Sequence, residues 1–166
     1  MALTRLTRKG MIRQLARGLY DYPIDHPKLG KIPPSADAIA QALTQRDTTR
    51  IQPSGAYAAN VLGLSEQVPT RIVFLTDGPS RRIKIGRREI LLKRTTLRNM
   101  ATAGRKSGTI IQALRYIGER NVDDRILKII DRNLSPEERA QLAKDFSYAP
   151  GWITELLRPL VAAKAA

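Results

Sequence analysis

Between Arg71 and Thr76 the chain places four apolar residues in a row, Ile72, Val73, Phe74 and Leu75, and closes them with the turn signal Asp77-Gly78-Pro79-Ser80. A continuous apolar run of strand length describes a strand buried on both faces, which demands structure packed above and below it. The next segment obeys a different rule. Arg82, Ile83, Lys84 and Ile85 alternate polar and apolar, Gly86 opens a turn, and Glu89 to Arg94 gives a further strand. This predicts a hairpin with one dry and one basic face, set beside a central strand.

Helical spacing surrounds this sheet. Ser35 is placed to cap a helix through Ala36, Ile39, Ala40 and Leu43 to about Arg46, and a second helix follows Pro53-Ser54-Gly55 through Tyr57 and Val61 to Gly63. The last third is helical throughout. Ile110, Ile111, Leu114 and Ile117 share one face, as do Val122, Ile126, Ile129 and Ile130, with Asp123 and Asp124 suited to the start of their helix. Ser135-Pro136-Glu137-Glu138 combines an N-cap, a proline at the first helical position and a glutamate three residues on. A final stripe runs from Trp152 to Leu160, and the Ala-rich end beyond it is the one stretch that reads as solvated.

The N-terminal part has its own pattern. Met1 to Gly10 reads as the end of a helix with an apolar edge of Leu3 and Leu6 and a face of Thr4, Arg5, Thr7, Arg8 and Lys9. Ile12 to Tyr22 then reads as a short hairpin turning at Arg17-Gly18, with Arg13 and Arg17 bordering the turn. From 23 to 34 come four prolines and one glycine, the composition of a linker, so a domain boundary is expected there. The fold class expected is mixed α/β: a partial N-terminal unit over 1–22, a Pro-rich linker over 23–34, and an α/β domain over 35–166 with a small sheet and a helical C-terminal part.

Charge narrows the function. The chain carries 29 Lys and Arg against 15 Asp and Glu, a net +14, and a field of that size attracts polyanions. The excess is uneven, since the first hundred residues hold eighteen of the bases and seven of the acids. The densest cluster is Arg81, Arg82, Lys84, Arg87, Arg88, Lys93 and Arg94, a ribbon suited to phosphate contacts and equally suited to a solvated sheet edge. Without cysteine there is no disulfide or thiolate metal site. No window approaches a membrane span and no signal layout opens the chain, so a cytoplasmic protein without a membrane partner is expected.

Catalytic constellations are sparse. The single histidine, His26, sits in the proline-rich stretch with no second ligand nearby, and no cofactor is implied. Thr102 to Gly108 lacks the glycine spacing of a phosphate loop, although Arg105 and Lys106 stand at a helix start able to hold an anion. Asp77, Glu89 and Lys93 would be the residues of a metal-dependent nuclease, yet Glu89 and Lys93 lie roughly 13 Å apart along one strand. A non-enzymatic protein is therefore expected.

Several motifs in order also match a known family. Arg50-Ile-Gln-Pro-Ser-Gly-Ala-Tyr-Ala-Ala-Asn60, Leu62-Gly63-Leu64, Phe74-Leu-Thr-Asp-Gly-Pro-Ser80, Arg94-Thr-Thr96 and Asn99-Met100 resemble the AbiEi-type antitoxins of bacterial type IV toxin–antitoxin systems, the abortive-infection antitoxins. The resemblance implies a winged helix-turn-helix followed by an α/β domain. It further implies a transcriptional regulator that represses its own operon through operator DNA and counters a nucleotidyltransferase-like toxin, with or without binding it directly. On this pattern Ala2 to Arg8 is the end of the recognition helix and Ile12 to Tyr22 the wing, with the family's earlier helices lacking. The DNA-binding set is then Thr4, Arg5, Thr7, Arg8, Lys9, Arg13, Arg17, Arg81, Arg82, Lys84, Arg87 and Arg88, and Arg50, Gln52, Tyr57, Asn60 and Asp77 are family-typical positions. The alternative on composition is an RNA-binding or ribosome-associated protein using the 81–94 ribbon, which the sparse aromatics (two Phe, five Tyr, one Trp) disfavour for base stacking.

Overall fold

The computed structural model describes residues 2–162 and is a mixed α/β protein. It opens with helix α1 (Ala2–Arg8), which stops where Gly10 takes a φ of 70°. Strands β1 (Arg13–Ala16) and β2 (Leu19–Asp21) form the expected antiparallel hairpin around Gly18, whose φ of 73° suits the tight turn. Arg17 is at that turn. Arg13 is not: it pairs across the ladder with Asp21 at the hairpin's open end.

The expected linker is a second hairpin. β3 (Ile24–His26) pairs antiparallel with β4 (Gly30–Ile32). Every proline lies where no ladder hydrogen bond is asked of it: Pro23 precedes β3, Pro27 is in the turn, and Pro33-Pro34 follow β4. A proline count alone could not reveal that placement. His26 also has a local task, since its Nδ1 accepts a hydrogen bond from the Lys28 amide at 3.2 Å.

Helix α2 (Ala36–Asp47) starts at the predicted cap, with Ser35 Oγ accepting from the Ala38 amide. It covers one face of a four-stranded sheet ordered β5-β6-β8-β7, built from β5 (Ile51–Ser54), β6 (Arg71–Thr76), β7 (Arg81–Ile85) and β8 (Arg88–Arg94). β6 is internal, as its apolar run requires, antiparallel to β5 and parallel to β8, while β7 returns antiparallel to β8 at the edge. Strand β5 carries Pro53 and has no period-2 signal in the sequence. It is an edge strand, where a missing donor is tolerated.

Helices α3 (Gly55–Val61), α4 (Leu97–Met100), α5 (Lys106–Ile117), α6 (Asp124–Arg132), α7 (Pro136–Asp145) and α8 (Gly151–Ala162) complete the described chain. α7 begins with a full capping box, Ser135 Oγ accepting from the Glu138 amide and Glu138 accepting from the Ser135 amide. Of the Ala-rich end, Val161 and Ala162 close α8, and 163–166 lie outside the described residues.

Two apolar clusters hold the protein together. The first joins α3 to the C-terminal helices through Ile110, Leu114, Ile130, Leu142, Ile153 and Leu157. The second lies between α2 and the sheet and contains Ile39, Leu43, Ile72, Phe74, Ile83 and Ile90. Leu19 of the β1–β2 hairpin is buried in this second cluster, with Leu15 and Ala16 packed on it. The boundary expected at 23–34 therefore does not separate two cores: a two-stranded hairpin has no interior of its own and takes one from the sheet.

Candidate nucleic-acid interface

Four of the seven acids in the first hundred residues are committed to bases from that same part of the chain. Asp21 holds Arg13, Asp47 holds Arg46 and Arg81, Asp77 holds Arg50, and Glu89 holds both Arg71 and Arg82. The surrounding guanidinium groups have physical effects on these carboxyls. Asp47 is held below the ordinary range chiefly by its hydrogen bond from Arg46, and Asp77 chiefly by the Arg50 amide and then by its guanidinium.

This sorts the twelve positions predicted to contact DNA. Arg13, Arg81 and Arg82 are committed to carboxylates, and the Thr7 hydroxyl donates back to the Leu3 carbonyl at 2.8 Å. Arg5, Arg8, Lys9, Arg17, Lys84, Arg87 and Arg88 make no ion pair among the described residues. Thr4, Arg5, Arg8 and Lys9 are exposed on or just beyond α1, no residue of which is buried. Arg17 is at the hairpin tip, and Lys84, Arg87 and Arg88 gather at the β7–β8 turn.

Hairpin and turn enclose a basic cleft. Its volume is about 610 Å³, within the range of about 300–1,000 Å³ typical of small-ligand sites. Arg13, Gln14 and Leu15 come from β1, Lys31 from β4, Pro33, Pro34 and Ala36 from the entry to α2, and Ile85 to Arg88 from the turn, over a floor of Ile39, Ile72 and Ile90. Among the described residues no carboxylate lines it. Strand alternation sends the Lys84 side chain to the opposite sheet face from Ile83 and Ile85, so Lys84 edges the cleft through its backbone. Arg13 donates from Nη2 to Asp21 and to the Ile32 carbonyl, while its buried Nε has no partner.

The family-typical residues are used internally. Arg50 grips Asp77 twice, amide to Oδ1 at 2.8 Å and Nε to Oδ2 at 2.9 Å. Gln52 is fully buried, donating to the Gly108 carbonyl and accepting from Thr102 Oγ1. Tyr57 donates to Asp37 at 2.6 Å, and burial followed by that bond pushes its phenol above its ordinary value. Asn60 donates to the carbonyls of Ser65 and Gln67. Together they fix β5, the α3 exit and the β6 terminus, and their spacing in sequence follows from those contacts.

Neither chemical alternative is assembled. In the parallel β6–β8 pair Arg71 registers with Glu89 and Thr76 with Arg94, which puts Asp77 and Glu89 at opposite ends, about 20 Å apart at 3.3 Å per residue. Lys93 is exposed. At the α5 start, Arg105 pairs with the buried Asp145 at 2.7 Å, Lys106 pairs with Glu138 at 2.9 Å, and Ser107 donates to Asp145, so a side-chain carboxylate already fills the role of the anion. Sequence reading did not foresee Asp145, which lies forty residues away from Arg105.

A small mixed sheet packed against helices and edged by cations that make no ion pair among the described residues defines a basic α/β protein. Residues 1–142 match the family described as a family of unknown function, DUF6088, and the chain belongs to it. No curated protein and no solved structure matches the chain.

Proposed function

We propose that the protein is a DNA-binding transcriptional autoregulator of the AbiEi antitoxin type, which represses its own operon and counters a nucleotidyltransferase-like toxin. The observation that carries the reading is the distribution of uncommitted charge. Arg5, Arg8 and Lys9 on the α1 segment, Arg17 on the hairpin tip, and Arg87 and Arg88 on the β7–β8 turn face solvent and make no ion pair among the described residues, while Asp21, Asp47 and Glu89 already hold other bases. A helix followed by a hairpin, both bearing free cations, suits a groove element and a flanking phosphate contact.

Fluorescence anisotropy with the upstream duplex, a scrambled duplex and single-stranded RNA tests this. Log affinity should fall linearly with log salt, by about 0.9 per phosphate contacted on B-DNA. Arg87→Ala with Arg88→Ala should flatten the slope, whereas Arg81→Ala with Arg82→Ala should change it less, because those two side chains are held by Asp47 and Glu89. Tighter binding to the RNA, or an unchanged slope in the turn variant, would overturn the reading. For the antitoxin role the assay is growth rescue on co-expression with an adjacent nucleotidyltransferase-like reading frame, and failure to rescue counts against it.

A further inference from the structure

The cleft between the β1–β2 hairpin and the β7–β8 turn has two halves of opposite chemistry. At its rim stand Lys31, Arg87 and Arg88, none in an ion pair among the described residues, with Arg13 beside them carrying donor capacity beyond its bond to Asp21. Ala36, the first residue of the twelve-residue α2, is also in the wall, so the positive end of that helix dipole adds to the field. Below the rim the surface is aliphatic, with Leu15, the paired Pro33-Pro34 and Ile85 as walls and isoleucines as floor. Gln14 is the one uncharged side-chain amide in the lining. A solvated charge patch needs no such recess, and a pure phosphate site needs no aliphatic slot.

We propose that this cleft binds a nucleoside polyphosphate, with the phosphates at Lys31, Arg87, Arg88 and the α2 N-terminus and the nucleoside in the slot of Leu15, Pro34 and Ile85. Several cations around one mouth require a multiply charged ligand, and the recess requires that ligand to carry a compact apolar body. Gln14 alternates away from Arg13 and Leu15 along β1 and donates to the Ala16 carbonyl, so it does not read a base; recognition is of phosphates and ring shape, and the four bases are accepted about equally. Arg87 and Arg88 also belong to the nucleic-acid surface. Nucleotide and nucleic acid therefore exclude one another, a corollary that rests on the nucleic-acid reading, whereas the cleft itself does not.

Isothermal titration calorimetry of the full chain with ATP, GTP, CTP, adenosine and inorganic tripolyphosphate tests the proposal. The expected result is saturable binding of all three nucleotides within about fivefold of each other, with adenosine and tripolyphosphate each at least tenfold weaker. Arg87→Ala with Arg88→Ala should lower nucleotide affinity at least tenfold. Ile85→Ala should lower it severalfold while leaving the weak tripolyphosphate binding unchanged, with circular dichroism confirming that each variant is folded. Tripolyphosphate binding as tightly as ATP would reduce the cleft to a polyanion patch, and ATP affinity unchanged in the arginine variant would place any binding elsewhere. Absence of binding at millimolar nucleotide would end the proposal outright. Arg5→Ala with Arg8→Ala, neither of which lines the cleft, separates the two readings: it should weaken DNA binding and leave ATP binding intact.

Discussion

At the scale of single residues, the glycine with the least room for a side chain is Gly108. A Cβ there would come within 2.4 Å of the Thr102 carbonyl oxygen and 2.5 Å of Gln52 Oε1, neither of which is a free side-chain end. Gly108→Ala should therefore destabilise the protein by about 1–3 kcal/mol, the usual cost of overpacking, measured as a lowered urea midpoint. An unchanged midpoint would mean that β5 and α5 can separate without penalty. Asp77 yields a pH prediction. Its carboxyl is lowered in the folded state by the Arg50 amide and guanidinium, so the stability it contributes is present above the unfolded-state value of about 4 and is lost as pH falls through the lower folded value. Asp77→Asn should then unfold more easily than the parent at pH 7, with the gap closing in melts taken progressively below about pH 4. A gap that persists into strong acid would show that packing, not charge, fixes this turn. Asp77 was legible in the sequence as a turn residue beside Gly78-Pro79. Its partner Arg50 was not, because the bond spans 27 positions and no local pattern encodes it.

Elements were legible where one segment carries its own boundary chemistry. Ser35 and Ser135 could be read as caps because a cap satisfies amides two or three residues away, and both do so here. Ser135→Ala should cost about 1 kcal/mol, read as a fall in thermal midpoint, and Ser135→Asp should recover most of it. No recovery by aspartate would assign the effect to the reciprocal Glu138 bond, which also engages Lys106. The β3–β4 hairpin and β5 escaped because proline was read for what it breaks. In both cases the ring occupies a turn, a flank or an edge, and those positions exist only once strand order is known. The cleft escaped for the same reason: its lining comes from four segments that meet only after the hairpin docks on the sheet.

For the molecule as a whole, the docked hairpin matters most. Leu19 is 7% exposed and sits in the cluster of Leu43 and Ile83, so Leu19→Ala should cost about 2–5 kcal/mol, and removal of 1–22 should destabilise the remainder instead of releasing an independent domain. Denaturant titration of the two variants checks this; a deletion as stable as the full chain would restore the boundary expected from the prolines. Gln52, on β5 at the seam of the two apolar clusters, ties the sheet to α5 through Gly108 and Thr102. A fully buried amide between two largely apolar bodies behaves as a fuse. Amide hydrogen exchange of the parent should show both bodies opening together, while Gln52→Leu, which keeps the volume and cuts the polar link, should leave the C-terminal helices slow and let the sheet and its hairpin exchange on their own clock.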